Sequence, residues 1–420
     1  MFVSIGNTPR DYAWGSTSAI AGFRGVAPSG GPEAELWLGA HAGSPARIVD
    51  AASVGHDDLA AWIAADPETA LGPDLAARGA RLPFLLKVLA AAEPLSLQAH
   101  PTPEQARAGF AREEADGPEI TAYDRNYKDG FHKPELIVAV SETFDALSGF
   151  RPLDEVAGVL RTLRAADAAT ADPQPVALDL LEARLVSQQP LRDTVEWLLR
   201  DGRGGDTGEV AWVVERVTAL APAAAALESP YARSFETVGA LAEAYPGDPG
   251  IVISLLLNRV RLVRGEALYL AAGNIHAYLD GLGIELMAAS DNVLRGGLTP
   301  KHIDVDELLE VLDFTPIAPP RLAPEQVGAG VEVFRPDVPD FVLYRVEPPS
   351  ASDAAGARFG SAGIELDGPA IIIAERHGVT VRGASGEASV ARGEALYITP
   401  DEERIVVTGE GIAWVATTGR

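Results

Sequence analysis

The sequence predicts a mainly β protein in which two antiparallel jelly-roll barrels are accompanied by an inserted α-helical domain. Three observations carry that prediction. Short apolar–polar alternating segments bounded by turn residues occupy both ends of the chain, apolar stripes of helical period fill the middle, and one block of sequence occurs twice. A chain of 420 residues also exceeds the roughly 100 to 200 residues of one domain, so two or three packed units are expected.

Residues 1 to about 50 and 82 to 150 read as short strands, with a helix between them from about His56 to Arg78. Beyond residue 151 the period changes. Val156, Val159, Leu160 and Leu163 follow an i, i+3, i+4, i+7 pattern, and similar stripes recur in LRDTVEWLLR and GEVAWVVERV, which predicts several amphipathic helices up to about residue 255. From Val260 the strand pattern returns through about Ala289. One helix, VDELLEVLDF, follows, and the Pro-rich stretch from Thr315 to Pro324 reads as a linker before a strand-rich last hundred residues. The expected division is a first barrel from 1–150 plus 256–314 with short helices, a helical domain at 151–255 and a second barrel at 315–420.

The repeat pairs RGEALYLAAGNIHAYLDGLGIELMA (Arg264 to Ala288) with RGEALYITPDEERIVVTGEGIAWVA (Arg392 to Ala416), with 10 identities in 25 residues and no gap. The two copies differ at polar positions. His276 is matched by Arg404 and Glu285 by Ala413, so any polar site of the first copy is expected to be missing from the second, which should hold no metal.

Composition excludes whole classes of function. With 60 acidic against 34 basic residues the formal charge is -26, which repels nucleic-acid backbones and anionic lipid, so neither nucleic acid nor membrane is an expected partner. An anionic ligand must find a local basic pocket. The absence of cysteine rules out disulfides, thiolate nucleophiles and Cys-based metal sites, leaving His and oxygen ligands. Lys87 and Glu93 interrupt PFLLKVLAAAEPLSL, no apolar run approaches the ~18 residues of a membrane span, and the start lacks the pattern of a signal peptide, so a cytoplasmic monomer is expected.

Alternation also gathers the candidate chemistry. In LSLQAH, Ser96, Gln98 and His100 share one strand face; in HKPELIVAV, Lys133 and Glu135 do; in GNIHAYLDG, Asn274, His276 and Tyr278 do. A sheet curled into a barrel can project Gln98, His100, Glu135 and His276 into one cavity, a donor set suited to zinc or another divalent ion with a position left open. A histidine on a strand can equally be a hydrogen-bonded structural residue, and glutamine is an uncommon ligand.

The blocks AELWLGAH (34–41), PLSLQAHP (94–101), NYKDGFHKPEL (126–136) and AGNIHAYLDGLGIELMAASDNVLRGGLTPKHIDVDELL (272–309), with YAWGS from Tyr12, resemble the type I mannose-6-phosphate isomerase (phosphomannose isomerase) family. The resemblance implies a double cupin fold with an α-helical domain, one zinc ion per chain, and a sugar phosphate as the small-molecule substrate. The reaction it implies interconverts mannose 6-phosphate and fructose 6-phosphate through a cis-enediol, feeding carbohydrate metabolism and GDP-mannose synthesis. The family's metal ligands map onto Gln98, His100, Glu135 and His276. An arginine at the place of Arg295 is tied to catalysis, and residues matching Ser96 and Lys301 lie in the substrate pocket, to which Tyr278 on the His276 face is added. Thr102 and Ala99 depart from the usual pattern at positions that hold no ligand. The acid/base candidates are Lys133, His132, Glu285 and Asp291, with support of a metal ligand from behind for Glu285 and a salt bridge from Asp291 to Arg295 as the alternatives. Another cupin sugar-phosphate isomerase or epimerase, or a non-catalytic sugar-binding cupin, remains the competing reading. Arg259 and Arg261 read as a solvated strand face, and Trp14, Trp37 and His41 as barrel packing.

Overall fold

The computed structural model describes residues 1–202, 208–349 and 360–419. A nine-stranded antiparallel sheet forms the first barrel, and an eight-stranded and a four-stranded sheet form the second, the double cupin arrangement expected from the sequence. Helices from Leu153–Ala168 to Gly250–Ile253 make the inserted domain. Val156, Val159, Leu160 and Leu163 are buried in its core, as the period required. That core extends onto Leu97, Ala99, Ile275 and Ala277. The apolar faces of the segments bearing Gln98, His100 and His276 are thus sealed against the helical domain, and their polar faces turn the other way.

The repeat is visible in the backbone. The strand Ala267–Leu270 corresponds to Ala395–Ile398, and the 13-residue strand His276–Ala288 corresponds to Arg404–Gly409 followed by Ile412–Thr417. Gly281 and Gly409 both have φ of 124°, a conformation that glycine adopts freely. At Gly281 a Cβ would also lie 2.8 Å from the Phe144 ring. The first copy bends there without breaking, so its two halves pair with different partners: His276 to Asp280 with Thr143–Phe150, and Gly281 to Ala288 with Phe84–Ala91. The shared RGEALY block ties the barrels together. Arg264 reaches the Glu375 carboxylate of the second barrel, and Arg392 reaches the Gly22 and Phe23 carbonyls that pack with the first. Ala267 and Ala395 lie in one inter-barrel core with Leu136, Val138, Tyr397 and Trp414.

Several local expectations are corrected. The helix expected from His56 to Arg78 is three short helices, Leu59–Ala65, Pro67–Leu71 and Pro73–Ala77, because Pro67 and Pro73 each start a new one. The region 82–150 is not all strand. It contains the helix Pro103–Asp116, whose Thr102 and Gln105 form a capping box, so Thr102 serves as a helix start. Phe2–Gly6 hydrogen-bonds to Ala395–Ile398, so the first strand of the chain lies in the sheet of the last hundred residues. No helix among the described residues is long and apolar enough to cross a membrane.

Candidate metal centre

Three strands bring the donor atoms together. Gln98 is paired directly with His276 in the antiparallel register, and Glu135 lies across from Met287 on the same long strand. His100, Glu135 and His276 are all buried, and their ligand atoms lie within 4.8 Å of one another. His100 Nε2 is 3.2 Å from Glu135 Oε1, and His276 Nε2 is 3.3 Å from Oε2. Two donors about 2.0–2.1 Å from one ion at a tetrahedral angle stand about 3.4 Å apart, so these spacings match a shared cation.

Both imidazoles are locked from behind. His100 Nδ1–H donates to the Asn292 carbonyl at 2.8 Å and His276 Nδ1–H to the Asn274 carbonyl at 2.9 Å, which leaves each Nε2 as a lone pair facing inward. His100 Nε2 is buried without a hydrogen-bond partner. Such an orphan is costly unless a cation takes it. Burial lowers the His100 pKa to about 4, so the ring is neutral, as a ligand must be. Burial opposes ionisation of Glu135, yet the facing His100 and the Lys133 ammonium outweigh it and hold the carboxyl well below its usual range. Lys133 Nζ lies 3.4 Å from Oε1. The Gln98 amide donates to Ser96 Oγ at 3.1 Å, which turns its oxygen to the free side. The donor set therefore fits a divalent ion.

The cavity beside these donors, about 70 Å³, is also lined by Ser96, Lys133, Tyr278, Glu285, Lys87 and Glu35. It has room for about two waters. Of the sequence candidates, Ser96, Tyr278, Lys133 and Glu285 are thus brought to the donors. His132 is not, because its ring pairs with Asp340 of the second barrel at 2.8 Å. Asp291 pairs with His41 at 3.0 Å, not with Arg295, and its side chain is half exposed.

Sequence reasoning missed the other half of the cavity. Lys87 Nζ lies 2.9 Å from Glu285 and 3.5 Å from Glu35, and Glu35 also accepts the Trp37 indole N–H at 2.8 Å. Burial lifts the Glu285 carboxyl above its ordinary pKa, with Lys87 pulling it back. Tyr278, which lines the cavity, is pushed up by burial and by the facing Glu285 carboxylate. The signal available was a lone Lys in the apolar strand Phe84–Ala91, every residue of which is buried.

Arg295, Gln98 and His276 stand opposite one another on three adjacent strands, which puts Arg295 about 10 Å from His276 at ~4.8 Å per strand. The Arg295 guanidinium has no ion-pair or hydrogen-bond partner among the described residues, and partial burial lowers its pKa. Lys301, lowered by burial and by the Arg295 charge, stands beside it. The Lys128 ammonium, which sequence reasoning left unassigned, bonds the Ile120 and Ala122 carbonyls, and burial and the Arg125 charge lower its pKa against the pull of Glu113 and Asp291. Arg295 and Lys301, neither of them paired with a carboxylate among the described residues, contrast with the -26 of the whole chain.

Comparison with known proteins accounts for this arrangement. Residues 2–153 match the model of the phosphomannose isomerase type I catalytic domain. The chain is 36% identical over 412 residues to mannose-6-phosphate isomerase of Escherichia coli (strain K12), covering 96% of each chain, and 31% identical over 364 residues to that of Homo sapiens, covering 81% of each. A solved mannose 6-phosphate isomerase bound with zinc and yttrium superposes with a TM-score of 0.84 at 32% identity, covering both chains in full. A mutant phosphomannose isomerase from Salmonella typhimurium gives a TM-score of 0.84 at 31% identity with the same coverage. The chain belongs to the type I phosphomannose isomerase family.

Proposed function

We propose that this chain interconverts mannose 6-phosphate and fructose 6-phosphate through a cis-enediol, with one zinc ion held by Gln98, His100, Glu135 and His276. The observation that carries the reading is the convergence of two imidazole Nε2 atoms and one carboxylate at the spacing of a single ion's ligands. Bound there, the ion would act as a Lewis acid for the negative charge that develops on O1 and O2. One carboxylate among neutral ligands keeps the site cationic, which favours an anionic intermediate.

The proton must move between C1 and C2 by way of a protein group. With His132 and Asp291 directed elsewhere, Lys133 and Glu285 remain at the cavity. Lys133 is engaged with the ligand Glu135, whereas burial raises the pKa of Glu285, with Lys87 beside it pulling the other way, so its carboxylate takes up a proton more readily than an ordinary one. We assign the shuttle to Glu285 and the fixing of Glu135 to Lys133. Ser96 and Tyr278 orient sugar hydroxyls, Lys301 receives the phosphate end, and Arg295 acts nearer the reacting carbons. Metal-stripped protein should be inactive and should regain fructose 6-phosphate formation on addition of zinc; activity that survives stripping would defeat the reading.

Arg295 and Lys301 should separate kinetically. Lys301 is exposed and binds remote phosphate, so Lys301→Ala should raise KM more than it lowers kcat. Arg295 is partly buried on the strand beside Gln98, and Arg295→Ala should cost on the order of 10²-fold in kcat through lost electrostatic stabilisation of the transition state. Steady-state kinetics at matched zinc content test both, and an unchanged KM in Lys301→Ala would remove it from the pocket.

The division into a catalytic barrel (1–150 plus 256–314), a helical domain (151–255) and a metal-free barrel (315–420) is part of this reading, with Phe2–Gly6 lent to the second barrel. Arg404, at the place of His276, is an exposed residue paired with Glu365 at 3.1 Å. Arg404→Ala should leave zinc content unchanged and alter kcat less than about tenfold, or ~1.4 kcal/mol in the barrier. A larger loss with the fold retained would show that the second barrel is not silent.

A further inference from the structure

A second cavity, about 450 Å³, opens where the helical domain meets the strand Leu257–Val263, and it shares no lining residue with the metal centre. Arg151, Arg233, Arg259 and Arg261 all line it, against a single acidic lining residue, Glu155. Arg259 and Arg261 are not the solvated strand face that their alternation suggested. Both clasp the one carboxylate of Asp145, which the arginines, against the effect of burial, hold down at a pKa of about 2. Two guanidinium groups on one carboxylate leave a cation in excess. Glu236 and Asp280 act on Arg261 from outside the lining.

Arg151 is the more telling residue. It is 3% exposed, and its Nε and Nη2 donate to the Leu257 carbonyl and Ser234 Oγ, so its partners are neutral oxygens. No carboxylate lies within ion-pair distance of it among the described residues, and its third nitrogen, Nη1, makes no hydrogen bond there. Glu155 acts on it only from beyond ion-pair distance, and a buried guanidinium so weakly compensated is expensive unless an anion visits it. The group also sits 5.7 Å from the centre of the Tyr231 ring, which lines the same cavity. Arg233 is exposed and has no side-chain partner among the described residues, so it is free to turn inward.

We propose that this cavity is a second anion site that takes a phosphorylated small metabolite, the phosphate held by Arg151 and Arg233 and the remainder set against Tyr231. The volume is that of an ordinary metabolite pocket, which spans roughly 300–1,000 Å³. Planar guanidinium forks suit phosphate oxygens better than they suit a halide, because they can donate in pairs.

The test measures inorganic phosphate binding to the zinc-loaded enzyme by equilibrium dialysis, with Lys301→Ala as the background so that the active-site phosphate pocket is weakened. One phosphate per chain should still bind. Adding Arg233→Glu should weaken that binding at least fivefold while zinc content and the circular dichroism spectrum stay unchanged, and Arg233→Lys should retain most of it. Loss of all phosphate binding in Lys301→Ala alone, or residual binding indifferent to Arg233→Glu, would overturn the proposal.

Discussion

Replacing His276 with alanine should remove zinc and isomerase activity together and leave the fold in place. His276 supplies one of the two imidazole lone pairs at the centre, 3.3 Å from Glu135 Oε2, and its loss leaves only His100, Glu135 and the weakly basic Gln98 oxygen. Zinc sites with three protein ligands are common when all three are strong donors, but an amide oxygen is not one. Without the ion, stabilisation of the enediolate worth several kcal/mol disappears, so kcat should fall by at least about 10³-fold. The backbone has reason to survive, because the strand His276–Ala288 is held by four neighbouring strands and only its His276 end changes. Elemental analysis after dialysis, together with the rate of fructose 6-phosphate formation, gives the answer. Zinc retained at one per chain would remove His276 from the ligand set.

How far the sequence revealed this centre depends on how each residue is specified. Gln98, His100, Glu135 and His276 were legible because strand alternation separates an apolar face from a polar one, and the apolar partners Leu97, Ala99, Ile275 and Ala277 are indeed buried on the opposite side. The carbonyl locks from Asn274 and Asn292 were not legible, since a backbone oxygen has no sequence signature and the Asn292 contact spans 192 residues. Lys87 was read only as an interruption of an apolar run. Its meaning depends on its cross-strand neighbour Glu285, which strand pairing supplies and local pattern does not. Lys133 and His132 are adjacent in sequence yet point to different units, one to Glu135 and the other to Asp340, as alternation along a strand entry requires. The repeat revealed two barrels, but it could not show that the first strand of the chain joins the sheet of the last, a pairing separated by nearly the whole sequence.

Lys87→Met should be the most destabilising single change in the cavity, and its cost should depend on pH. Lys87 is 6% exposed, lies directly across from Glu285 on the neighbouring strand, and faces Glu35 on the other side. Methionine keeps most of the volume and the apolar stem, so the substitution removes the charge with little change in packing. Removing one partner of a buried ion pair typically costs about 3–5 kcal/mol, because the carboxylates left behind are charged, desolvated and close to each other. The sign of the pH effect follows from Glu285. Its folded pKa already lies above the ordinary carboxyl value through burial, and Lys87 is the nearby group that pulls it down. Without Lys87 that pKa rises further. A carboxyl whose folded pKa exceeds its unfolded one loses stability as pH climbs from the unfolded value to the folded value, and protonation below that range relieves the strain. The deficit of Lys87→Met against the parent should therefore be large at pH 7.5 and shrink toward pH 5, as Glu285 takes up a proton. Urea unfolding of the two proteins at both pH values, each saturated with zinc, measures it. An equal deficit at the two pH values would show that lost packing, not uncompensated charge, accounts for the effect, and a deficit below about 1 kcal/mol would place the Lys87 charge in contact with water.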